Sequence, residues 1–230
     1  MNRYQFLRFP QGKSKAVTLS YDDGPRQDIR FAEVLNNYGL KCTFNLNSAS
    51  LRKTNLTKDE ILEHILTKGH EIAVHGHFHR ASGTLRPIEG IREVLDNRME
   101  LEQTFEMIIR GMAYPDSGIR HFANGANYEC IRNYLKELDI AYARTLGGDN
   151  DLFEIPRDWY AWMPTAHHNN PQILDYIDKF VNIDLEDPSL YIDSRRPCLF
   201  YMWGHSYEFD EYDNWEQLDV ICKKISRKED

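Results

Sequence analysis

Short apolar runs alternate with helical patterns along the chain, and this alternation restricts the fold more than any other feature of the sequence. Strand-like runs fall at 16–20, 41–45, 71–75, 111–115, 140–145, 159–165 and 198–204. Helical patterns separate most of them, at 27–38, 57–69, 88–109, 128–138, 171–182 and 215–227. In the clearest helix, TKDEILEHILTKG, Thr57 and Glu60 form a capping box. Ile61, Leu62, Ile65 and Leu66 make one apolar face, and Gly69 ends it. Such alternation points to a parallel sheet or barrel rather than a sandwich. No Pro/Gly/Ser linker divides the 230 residues, so one α/β domain over 1–230 is expected, large enough to bury a substantial core.

The unusual polar residues come just after the strands. Asp22 and Asp23 follow the first, HGHFH the third and YPDSG the fourth, while Arg144 ends the fifth and His205 follows the last. In parallel α/β folds the carboxyl ends of the strands share one face, where active sites are built. Two adjacent aspartates are costly to bury, because like charges raise one another's pKa. A solvated Asp-Gly-Pro turn is the plain alternative. It loses ground once the pair shares a face with histidines.

His75 and His79 are four positions apart. In an extended strand that separation is roughly 13 Å, too far for one ion, whereas in a helical turn the two side chains lie about 6 Å apart. The strand must therefore end near His75, and His77 then points about 200° away, a poor third ligand. Two imidazoles with one carboxylate leave an open coordination position, as in catalytic zinc sites. Zinc is the default for this single divalent ion, and manganese, iron, cobalt or nickel would accept the same donors. A water at the open position is acidified and can attack a carbonyl. One aspartate can then bind the ion while the other takes the proton.

A net charge of −8 and the lack of a Lys/Arg cluster interleaved with aromatics argue against nucleic acid as a partner. No run approaches the ~20 apolar residues of a membrane span, and the first residues lack a signal-peptide core, so a cytoplasmic location is expected. Cys42, Cys130, Cys198 and Cys222 are far apart with no CxxC, which reads as buried thiols in a reducing compartment. The oligomeric state is left open.

Together TLSYDDGP, KCTFNLN, HEIAVHGHFH, GMAYPDSG and FYMWGHS resemble the polysaccharide deacetylases, the NodB-homology domain of carbohydrate esterase family 4. The resemblance spans most of the chain, from Ala16 to Ser206. It implies a distorted (β/α) barrel, usually of seven strands, and metal-dependent removal of N- or O-acetyl groups from an acetylated carbohydrate. By motif position, Asp22 is the expected general base, Asp23, His75 and His79 the metal ligands, and His205 the acid. The backbone N–H of Asp116 is the expected oxyanion donor.

The chain departs from the family pattern at three places. Gly76 replaces a Ser or Thr whose hydroxyl braces the histidine loop. Ala113 replaces the arginine of an Arg-x-Pro motif, and Arg144, one strand on, is the candidate substitute, gripping a carboxylate bidentately, with a solvated place on the rim as the alternative. Asp158-Trp159 is a weak match to an Asp-Trp motif, with strand packing as the alternative. His167 and His168 are candidates for the cleft or for the surface. Glu208 or Asp210 could orient His205 or cap the following helix. Tyr21, Tyr114, Trp159, Trp203 and Tyr207 are candidates for stacking on a sugar or for core packing. The rival readings are a same-fold hydrolase of a cyclic amide or imide, and a catalytically silent carbohydrate-binding protein.

Overall fold

Seven strands, all parallel, form one sheet in the order β5-β4-β3-β2-β1-β7-β6 in the computed structural model, which describes residues 7–49, 55–147, 150–185 and 196–226. The strands are β1 (Lys15–Asp22), β2 (Thr43–Leu46), β3 (Glu71–Val74), β4 (Gly111–Ala113), β5 (Tyr142–Arg144), β6 (Ala166–His167) and β7 (Cys198–Gly204). The sheet curls into a distorted (β/α) barrel with helices outside it. The helices are α1 (Gln27–Asn37), α2 (Lys58–Glu60), α3 (Pro87–Phe105), α4 (Tyr128–Glu137), α5 (Ile173–Val181), α6 (Glu208–Glu211) and α7 (Trp215–Ile225). Residue 227, the expected end of α7, lies outside the described residues.

Strands covered on both faces should be apolar throughout rather than alternating. Accordingly, every residue of β2 and β4 is buried. Phe31 and Leu35 of α1, Phe44 of β2, Val94 of α3 and Phe200 of β7 belong to the same core. The capping box forms as expected: Thr57 Oγ1 accepts the Glu60 N–H at 3.3 Å, and Glu60 Oε2 accepts the Thr57 N–H at 2.9 Å. α2 then runs on into a π turn (Ile61–Ile65) and a 3-10 turn (Leu66–Lys68), ending where Gly69 takes φ 78°.

The sixth expected strand is displaced. Trp159–Ala161 is a 3-10 turn whose preceding residue, Asp158, accepts the Tyr160 N–H at 3.0 Å. Pro164 has no N–H to give a ladder, so a continuous strand over 159–165 is blocked. The chain instead laces the two edges of the sheet together. On one side the Trp162 N–H donates to Ala143 and the Thr145 N–H to Trp162, both to β5 or its end. On the other, the Thr165 and His168 N–H groups donate to Tyr201 and Trp203 of β7. Among the described residues, no helix is long and apolar enough to cross a membrane.

Candidate active site

Successive side chains in a strand point to opposite faces, so Asp22 and Asp23 would diverge if β1 continued. The chain turns instead. Asp23 has φ 75° and Gly24 φ 64°, in the left-handed region that Asp enters more readily than most residues. The Asp23 N–H donates to the Asn45 carbonyl at 3.0 Å, and Asn55 Nδ2 donates to the Asp23 carbonyl at 2.5 Å. Both carboxylates thereby face one atom, His75 Nε2, at 3.8 Å from Asp22 Oδ2 and 3.6 Å from Asp23 Oδ1.

Asp22 is 1% exposed and has both oxygens occupied. Its register partner in β2 is Asn45, whose Nδ2 donates to Oδ1 at 2.8 Å. Arg144 Nη2 donates to Oδ2 at 2.5 Å. Burial pushes this carboxyl up, but the Arg144 cation, foremost among its neighbours, holds the group below its ordinary value. Arg144 is fully buried, with its guanidinium 4.6 Å above the Trp203 ring. Its contact with Asp22 is through one nitrogen, not the expected pair, and Asn45 is the donor to the other oxygen.

The register explains why this arginine stands where it does. Ala113 of β4 and Arg144 of β5 are paired Cα partners. The cation missing from position 113 is therefore present at the same height one strand over, about 4.8 Å away.

His75, buried after β3, has Nδ1 2.9 Å from the Ala113 carbonyl. A carbonyl only accepts, so Nδ1 carries the proton and the Nε2 lone pair is left for a cation. His79 Nε2 lies 3.4 Å from Asp23 Oδ1. The three ligand atoms stand within 4.8 Å of one another. Metal–ligand bonds of about 2.0–2.2 Å in a tetrahedron put donors roughly 3.3–3.6 Å apart, so Asp23, His75 and His79 fit one ion. His77 turns away as expected, its Nδ1 2.8 Å from Ser48 Oγ.

His205 faces this cluster across the cleft, with Nε2 3.8 Å from Asp23 Oδ2. Its Nδ1 is 3.5 Å from Glu208 Oε1, and its N–H donates to Glu208 Oε2 at 3.3 Å. Burial lowers the imidazole's pKa, while Glu208, Asp22 and Asp23 raise it, and the net shift is upward. Asp210 is used elsewhere, accepting from Trp215 Nε1 and Gln27 Nε2.

His167, His168 and Glu208 form a second group with ligand-like spacing. The Asn169 N–H donates to His167 Nδ1 at 3.2 Å, so the proton of that ring sits on Nε2, pointing at Glu208 Oε2, 3.1 Å away. A protonated nitrogen cannot ligate, so this group is a hydrogen-bonded brace for Glu208. Hydrogen bonds from His167 and His205 hold Glu208 well below the usual carboxylate range, although burial opposes them. His168 is fully buried against Phe209, and burial pulls its pKa down to about 3.

Asp116 is exposed, with φ 50°, directly after Pro115. The Pro115 ring abuts the histidine loop: its Cγ would be 3.2 Å from a Cβ placed on Gly76. Asp158 does not join the site. It binds Arg132 at 3.0 Å and Tyr128 at 2.8 Å and caps the 3-10 turn, and Trp159 is exposed, so the expected strand packing does not form there either. Tyr21 and Tyr114 are core residues, whereas Trp203 and Tyr207 flank Arg144 and His205. Of the cysteines, Cys42 and Cys222 are buried as expected, while Cys130 and Cys198 are only partly covered.

Asn45, Asn47 and Asn97 were not expected in the site. Asn47 Nδ2 donates to the His75 and Gly76 carbonyls, and Asn97 Oδ1 accepts the His75 N–H at 2.9 Å. A signal for the first two was available in KCTFNLN, where asparagines interrupt a buried strand.

The sequence profile described as polysaccharide deacetylase matches residues 10–142. Among solved structures, the deacetylase PplD of Streptococcus pyogenes, bound to acetate, is 19% identical over 62% of this chain and 60% of its own, with a TM-score of 0.54. A CE4 family pseudoenzyme from Bacillus anthracis is 15% identical over 93% of this chain and 61% of its own, with a TM-score of 0.55. A family 4 acetyl xylan esterase from Clostridium thermocellum, bound to cobalt, is 16% identical over 93% of this chain and 84% of its own, with a TM-score of 0.54. The chain thus spans about three fifths of the length of the first two. At these identities the likeness is one of fold. A search of curated proteins returned no match.

Proposed function

Because the chain belongs to the polysaccharide deacetylase family, we propose that it is a hydrolase that removes acetyl groups from a carbohydrate with the help of one divalent cation. The observation that carries this reading is the convergence of Asp22, Asp23, His75, His79 and His205 on one cleft, each with a partner suited to a different task. A cation held by Asp23, His75 and His79 would polarise the acetyl carbonyl and acidify water. Asp22, kept ionised by Arg144, takes the proton of the attacking water. His205, kept protonated by Glu208, gives a proton to the departing sugar nitrogen or oxygen. The Asp116 N–H is assigned to the carbonyl oxygen as negative charge develops there.

Release of acetate from acetylated sugar oligomers tests the activity. A chain that binds such oligomers but releases nothing would instead be a silent relative, a reading that the pseudoenzyme neighbour keeps in play. Hydrolysis of cyclic imides without acetate release would favour the C–N rival.

The ligand set predicts about one divalent ion per chain. His75→Ala should lose it under loading conditions that saturate the parent, as measured by elemental analysis. Full occupancy in that variant would remove His75 from the set.

His205 acts only while protonated, so the rate should fall as pH rises through its raised pKa. Glu208→Gln removes the charge that raises this value, and the alkaline limb should move to lower pH. His205→Ala should lose the limb together with most of the rate. An unmoved limb in Glu208→Gln would show that this carboxylate does not act on His205.

A further inference from the structure

The histidine loop is held from behind by a helix that takes no direct part in the chemistry above. Glu93 of α3 is 2% exposed, and its carboxylate oxygens take different donors from the loop. Oε2 accepts the Phe78 N–H at 2.9 Å, and Oε1 accepts Arg80 Nε at 2.7 Å. The Glu93 carbonyl also accepts the His77 N–H at 2.9 Å. One helical turn further on, Asn97 accepts the His75 N–H from the same face of α3. Residues 75, 77, 78 and 80 are thus all tied to one helix.

A carboxylate this deeply buried is tolerable only when its oxygens are bonded. The bonds it makes here are to the two residues flanking His79. That ligand needs such support. His79 has φ 59°, and its side chain is 38% exposed, so its position depends on the backbone that carries it. Gly76 completes the arrangement. It has φ 76°, and a Cβ there would stand 3.2 Å from Glu93 Oε2, so a larger residue at 76 would crowd the carboxylate.

We propose that Glu93 is a positioning residue of the cation site: by gripping Phe78 and Arg80 it aims His79 at the ion. The inference rests on reading Asp23, His75 and His79 as ligands. Partners that orient ligands typically contribute 10–100-fold to metal affinity.

The test is cobalt(II) binding by metal-free parent, Glu93→Gln and Arg80→Ala proteins. Affinity is read by competition with a chelator and coordination by the visible absorption of the saturated protein. Gln keeps the shape, but its amide has one acceptor oxygen for two donors. Glu93→Gln should therefore bind about 10–100-fold more weakly with an altered spectrum. Arg80→Ala, which leaves the Phe78 contact intact, should show a smaller change of the same kind. If Glu93→Gln binds cobalt with parental affinity and spectrum, the proposal is wrong, even if its melting point falls, since that outcome makes Glu93 a fold element only. Should that variant fail to fold, parental affinity and spectrum in Arg80→Ala would overturn the proposal. Absence of cobalt binding by the parent would remove the ligand reading and this inference with it, a result distinct from a loss confined to the variants.

Discussion

Asp22→Asn is expected to keep its metal and lose turnover by about 10²–10⁴-fold, the usual contribution of a general base. The substitution preserves shape, and the amide oxygen can still accept from Arg144 or Asn45. It removes the one property the reading needs, a basic oxygen near the cleft. Asp22 Oδ2 lies 3.8 Å from His75 Nε2, whereas Asp23 Oδ1 lies close to both histidines. This asymmetry supports the proposal that Asp23 is the ligand and Asp22 the base. Elemental analysis beside a turnover assay separates the roles. Metal loss in Asp22→Asn would make that residue a ligand, and undiminished turnover would place the base elsewhere.

Arg144→Ala should be nearly as damaging, and by two routes. Removing one partner of a fully buried ion pair typically costs about 3–5 kcal/mol, because the other charge is left without compensation. A thermal or denaturant melt measures that loss. The second route concerns the base itself. Burial pushes the Asp22 carboxyl up and Arg144 opposes it, so without the arginine the folded-state pKa rises. A protonated Asp22 accepts no proton from water, and the acidic limb of the rate profile should move to higher pH. Arg144→Lys should recover part of the rate. It restores a charge but not the planar group lying 4.6 Å over Trp203. A profile of Arg144→Ala that overlays the parent would show that the pair is structural.

Much of this site was legible in the sequence because each part had a local signature. The alternation of short apolar runs with helical patterns fits the parallel sheet, and the spacing of His75 and His79 fits a turn. The position of Arg144 at a strand end anticipated its reach toward Asp22. The second donor to Asp22 was not legible, because it depends on Asn45 standing in register beside Asp22. Register is a property of two strands together, and neither strand encodes it alone. Glu93 was hidden for a similar reason. It sits in an ordinary-looking helix, and only packing shows that its carboxylate faces the loop between His75 and Arg80. The strand expected over 159–165 does not form because Pro164 withholds a ladder donor and the Asp158 carboxylate caps a 3-10 turn instead.

The lacing segment between β5 and β7 has a consequence beyond geometry. An open curled sheet ends in two rows of unpaired backbone groups, which are templates for pairing with another chain. Here the stretch that carries the edge strand β6 pairs with β7, through Thr165 and His168 to Tyr201 and Trp203, and also reaches the opposite edge strand, through Trp162 to Ala143 of β5. Loosening it would expose adhesive margins and free the end of β5 that carries Arg144, which the segment holds on either side at Ala143 and Thr145. Damage to this seam should therefore appear as self-association together with inactivity, and the first sign of failure on heating should be turbidity rather than a clean, reversible melt.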